Sequence, residues 1–267
     1  MRTGLFAMCA ALLVLLPSLA FAGNSDVGEV ALVEDVNGDI LSATATPNVW
    51  LKRAACAFYT THGDYYDALF IFNTNAANPM MNNQQGWTVR NPNKGIGRGP
   101  LDLSANFCAA NKRLRITVSM GGIVNLQPDP DKLSNILPMY PLTGIELLMH
   151  EFGHHWLAAA NFDKGDGKGT QCLLRAWAST GSSGGRKDSS ICNDHEISGY
   201  NQHWSHYLNG CSLMYSHCIE DKGVGTDGQH RFLFSYPYAK YSQLDQYLMG
   251  LRTKDEVSDP IFAVYTE

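Results

Sequence analysis

His150-Glu151-Phe152-Gly153-His154 is the stretch on which the reading of this chain turns. Positions four apart on an α-helix share a face, so the imidazoles of His150 and His154 can reach one metal ion. Glu151 sits one residue round, where it can take a proton from a water that the metal activates. Eight of the nine histidines lie at or after His150, which points to local use of imidazole rather than scattered surface placement.

The residues around the motif predict a helix with two different faces. Thr143 and Glu146 have the spacing of a capping box, with Pro141 just ahead of it. At about 100° per residue, Ile145, Leu148, Phe152, Trp156 and Ala159 fall on one apolar stripe. His150 and His154 project to the opposite side, with Glu151 further round. One face is for the core and the other for chemistry.

Ahead of this helix the chain is rich in strands. Residues 66–73 (YDALFIFN) predict a buried strand, led into by a helix or strand over 54–60. Residues 86–90 form a second extended segment, and 91–100 are a Gly/Pro-rich loop. Residues 113–126 predict one or two strands broken at Gly121-Gly122. Residues 23–50 are polar and turn-rich, with Asn37-Gly38 as a hairpin signal, and read as a leader onto a domain spanning 51–267. Residues 161–199 are Gly- and Ser-rich and read as an irregular insertion, and 244–251 as an apolar helix. The fold class is α+β, with strands feeding the motif helix.

The N-terminus bears on the compartment. Arg2, the apolar run 5–16 and Ala20-Phe21-Ala22 have the order of a secretory signal peptide over residues 1–22. No later segment is apolar for long enough to span a bilayer, so a soluble secreted protein without stable membrane insertion is expected. The net charge of −5 becomes −6 when Arg2 leaves with the leader, which argues against nucleic acid and anionic membrane surfaces as partners. Cys56, Cys108, Cys172, Cys192, Cys211 and Cys218 remain, an even set suited to disulfides in an exported chain. Sequence proximity favours Cys172–Cys192 and Cys211–Cys218, leaving Cys56–Cys108.

Zinc bound by two imidazoles needs a third protein ligand, with a fourth position left for water. In metzincins a third histidine follows at a fixed short spacing, but the corresponding places here hold Leu157 and Ala160. Candidates are Asp194, His195 or Glu196, then His203, His206, His217 and Asp245. Ser212-Leu213-Met214-Tyr215 resembles the Met-turn of metzincins, and His203 and His206 precede Met214 at a suitable interval. On that ground His203 is the expected third ligand, with Asp245 and His206 as alternatives. Asp245 resembles the completing aspartate of aspzincins, and it equally suits a carboxylate that orients a ligand imidazole. Tyr215 and Tyr236 are candidate donors to a developing oxyanion.

The series HEFGHHW (150–156), HWSHYLNGCSLMYS (203–216) and YSQLDQYLMGL (241–251) is similar to a family of exported bacterial zincin-like proteins. The resemblance covers most of residues 54–262, including YDALFIFNT (66–74) and NKGIG (93–97). Residues 241–245, opening a helix, also resemble the C-terminal helix of matrix-metalloproteinase-like enzymes. The resemblance implies a two-lobed zincin-like domain, with a mixed sheet packed on the motif helix and an irregular helical C-terminal lobe. It implies a metallopeptidase, with no substrate attached; the motif points to zinc-activated water attacking a protein or peptide substrate, with Glu151 as general base and His150, His154 and His203 as Zn²⁺ ligands. The alternative is an exported binding module that keeps zinc on the same scaffold without catalysis. The exported protein is expected to begin at Gly23, which N-terminal sequencing or intact mass checks.

Overall fold

The computed structural model describes residues 10–16, 24–42, 46–74, 84–94, 99–133, 142–160, 162–163, 170–171, 203–205, 207–235, 240–262 and 264. The chain divides into two units, Met1–Pro92 with Pro100–His155, and Asn93–Gly99 with Trp156–Glu267.

The first unit is built on a six-stranded sheet. Its strands are β1 (Ala10–Leu16), β2 (Ser25–Val27), β3 (Val30–Glu34), β4 (Ala68–Asn73), β5 (Gln85–Thr88) and β8 (Ile116–Gly122). A short antiparallel pair, β6 (Arg90–Asn91) and β7 (Leu101–Asp102), lies apart from it. The sheet order is β2-β3-β1-β4-β8-β5. β3, β1, β4 and β8 run parallel, and β2 and β5 are antiparallel edges. β8 is buried along its whole length, as a strand covered on both faces must be.

Side chains alternate across β4 and so divide the core. Leu69 and Ile71 join the buried cluster formed with Trp50, Leu51, Ala54 and Phe58 of α1 (Pro47–Tyr59). Burying each of these large side chains is worth roughly 1.5–3 kcal/mol. Between them, Phe70 meets Phe152 of α2 (Gly144–Gly153) with ring centroids 5.7 Å apart. α1 and α2 therefore pack on opposite faces of the sheet.

Residues 24–50, read from sequence as a leader, contribute β2, β3 and the first turn of α1 to this unit. Ala31, Val33, Ile40 and Trp50 are buried. The β2–β3 hairpin turns at Gly28, whose φ of 60° suits glycine, rather than at Asn37-Gly38. Asn37-Gly38 does form a turn, with the Gly38 N–H bonded to the Asp35 carbonyl at 3.1 Å. Asp35 itself accepts from the N–H groups of Ile40 and Leu41, so its carboxylate is spent on the loop.

Residues 10–16, within the expected signal peptide, form β1 between β3 and β4. An uncharged Leu/Val run suits a two-sided parallel strand as well as it suits a leader's apolar segment. β3 and β4 each pair in parallel with β1, and α1 lies between them in sequence.

α2 starts as expected. Thr143 Oγ1 accepts from the Glu146 N–H, and the Glu146 carboxylate accepts from the Thr143 N–H at 2.7 Å. Its end differs from the expected stripe. The helix stops at Gly153 with His154 as its C-cap, so Trp156 and Ala159 lie beyond it. Ile145 is 45% exposed, whereas Leu147, His150, Glu151 and Phe152 are buried. The imidazole side is covered as well as the Phe152 side, because α2 packs on β5 in addition to β8.

The second unit contains two antiparallel pairs. These are β9 (Phe162–Asp163) with β10 (Thr170–Gln171), and the hairpin of β11 (Cys218–Val224) with β12 (His230–Ser235). The expected apolar helix over 244–251 is the shorter α3 (Gln243–Leu248), which Ser242 caps. Most of the expected insertion 161–199 lies outside the described residues. Taken together the described elements are a mixed α+β set, and none of their helices is long and apolar enough to cross a membrane.

Two of the expected disulfides are present, Cys56–Cys108 and Cys211–Cys218, while Cys172 and Cys192 lie outside the described residues. Cys56–Cys108 ties α1 to the 3-10 turn Ser104–Phe107 across a sequence separation of 52. A closed loop of that length confines the unfolded chain by about 4 kcal/mol in the chain-entropy account. A Cys56→Ser, Cys108→Ser double variant is expected to lose stability of that order in denaturant unfolding.

Candidate metal centre

α2 sets the first part of the centre. His150 is 1% exposed and His154 6%, and their rings stand nearly perpendicular, with centroids 5.0 Å apart. Although the helix ends at Gly153, His154 keeps helical backbone angles (φ −58°, ψ −15°), so the four-residue spacing still places both imidazoles on one side.

Glu151 reaches both His154 and the β5 edge. Its Oε2 is 3.8 Å from His154 Nε2 and accepts a hydrogen bond from the Gly86 N–H at 2.8 Å. Burial pushes the Glu151 pKa up to about 8, while the Gly86 N–H pulls it down. A buried carboxyl with a pKa near neutrality suits a group that both takes and returns a proton.

Gly86 is the functional residue that sequence reasoning passes over. A Cβ there would sit 2.0 Å from the Glu151 carbonyl oxygen and 3.1 Å from the Cβ of His154. Only a residue without a side chain lets β5 come close enough to bond the carboxylate. A glycine inside a strand pattern is the available signal, since it often marks close backbone approach.

The residues around His203 form a second constellation. His203 is half-buried and stacks on Tyr215, with ring centroids 4.4 Å apart and planes inclined by 28°. Tyr215 holds a left-handed φ of 75° in a turn closed by its N–H on the Ser212 carbonyl. Met214 is fully buried in the same turn, the place a packing methionine should occupy. The Trp204 N–H bonds the Met214 carbonyl at 2.9 Å, joining the residue after His203 to that turn.

Asp245 is fully buried, and both its oxygens are engaged. Oδ1 accepts from Trp204 Nε1 at 2.7 Å, and Oδ2 accepts from the Ser242 N–H at 2.8 Å and from the Ser212 hydroxyl. Burial raises its pKa, against these three donors, which lower it. Its charge also contributes, after burial, to raising the pKa of Tyr241.

Each expected site residue can now be located. His150 and His154 belong to the first unit, and His203 and Asp245 to the second. His217 lies beside the hairpin with its ring 6.0 Å from Phe234, and His155 is buried. Asp194, His195, Glu196, His206 and Tyr236 lie outside the described residues.

Comparison with family models, curated proteins and solved structures gave no match. Gly86→Ala is expected to force β5 off α2 at a cost of about 1–3 kcal/mol, the usual penalty for overpacking, measured by denaturant unfolding.

Proposed function

We propose that this chain is an exported zinc metallopeptidase of zincin-like architecture, with His150, His154 and His203 as metal ligands and Glu151 as general base. The observation that carries the reading is the buried Glu151 carboxylate, bonded by the Gly86 N–H and 3.8 Å from an imidazole nitrogen of His154. A buried acid beside a buried imidazole is costly to maintain unless it faces a cation or handles a proton.

The donor set suits zinc. Three neutral imidazoles are borderline-soft nitrogen ligands of the kind zinc takes, and three protein ligands are the number that catalytic zinc sites use. Zinc bound there supplies Lewis acidity, lowering the pKa of a water toward neutrality and polarising a substrate carbonyl. The protein's own part is to hold and move the proton. Glu151 accepts it at Oε1 or Oε2 and returns it to the leaving amine, while the Gly86 N–H keeps the carboxylate turned to its place. Burial of Glu151 excludes bulk water from the proton it carries.

Glu151→Gln is expected to bind zinc as the wild type does while losing peptide hydrolysis by about 100- to 10,000-fold. Zinc content of the purified protein and cleavage of a mixed peptide library, with products read by mass spectrometry, check both parts. Chelation should abolish cleavage and added zinc should restore it. Undiminished turnover by Glu151→Gln would sink the mechanism, and zinc binding without turnover in the wild type would favour a binding module.

A further inference from the structure

Asp245 is a buried acid that the proposed proton transfer does not use, and its three donors come from three separate stretches of chain. Trp204 follows His203. Ser212 opens the turn that holds Met214 and Tyr215. Ser242 caps α3. The Ser212 hydroxyl also accepts from the Met214 N–H at 2.9 Å, so the same carboxylate braces the turn one bond further in.

His203 is gripped from two sides through these contacts. Behind it, the Trp204 indole is pinned to Asp245 Oδ1 and the Trp204 N–H to the Met214 carbonyl. Against its ring lies Tyr215, carried by the turn that Ser212 and Asp245 brace. Through these bonds the carboxylate fixes the two segments that flank His203. A carboxylate suits this place because its two oxygens offer about four acceptor sites, enough for three convergent donors.

We propose that Asp245 is the positioning residue for His203, setting its imidazole for metal through Trp204 and the turn 212–215. The inference rests on the reading of His203 as a ligand. Because an ion takes its ligands at defined distances, loosening the support of one imidazole weakens binding without removing any donor atom.

The test uses the exported full chain and zinc itself. Zinc affinity is measured by competition with a chromophoric chelator, the cobalt-substituted protein supplies a ligand-field spectrum, and metal-free thermal melting controls for folding. Asp245→Ala and Trp204→Phe should each bind zinc about 10- to 100-fold more weakly, with a changed cobalt spectrum. Trp204→Phe keeps the aromatic volume and decides the matter if Asp245→Ala does not fold. Asp245→Asn retains an acceptor for the indole N–H and should recover part of the affinity. Wild-type affinity and spectrum in folded Trp204→Phe, alongside weakened binding by His203→Ala, would overturn the role of Asp245 alone. Unchanged zinc binding by His203→Ala would overturn the ligand reading and this inference with it.

Discussion

The contact between Gly86 and Glu151 is the constraint from which the geometry of the motif follows. The missing side chain at position 86 lets β5 come close enough for a backbone N–H to reach a carboxylate on α2. That approach buries Glu151, and burial raises its pKa toward the range where it can exchange protons. The same approach covers the imidazole side of α2, so His150 and His154 are enclosed rather than displayed. Phe152 meanwhile holds the helix to the sheet through Phe70. Helix, strand edge and acid are thus one arrangement.

Around His203 the organising principle is different. A single carboxylate collects donors from residues 204, 212 and 242, where no regular element joins them. Irregular backbone needs such a device, since it lacks a ladder of its own hydrogen bonds to fix it. Asp245 doubles as the third residue of α3, where its carboxylate also completes the capping box with Ser242. The acid is therefore spent on order, which leaves it poorly suited to the direct ligand role that its likeness to aspzincins suggests.

What could be read from sequence divides by range. The capping box at Thr143 and Glu146, the strand at 68–73 and the pairing of imidazoles four apart are local patterns, and all three are present. The apolar stripe on α2 was only partly legible, because periodicity assumes that a helix continues and this one stops at Gly153. β2 and β3 were hidden in a polar, turn-rich stretch, since short edge strands carry too few apolar residues to stand out. The Gly86–Glu151 bond spans 65 positions and Trp204–Asp245 spans 41, so no window of sequence contains either one. Gly86 offered one weak sign, a glycine within a strand pattern. Trp204 and Ser212 offered none.

Cys56–Cys108 carries a consequence for when the first unit becomes whole. The bridge clamps α1, the helix that covers one face of the sheet, to a turn far along the chain. Thiols in a reducing compartment stay unjoined, so the clamp closes only in an oxidising one. The redox state of the surroundings thereby becomes a condition of maturity, because helix and turn are joined only where both thiols can be oxidised.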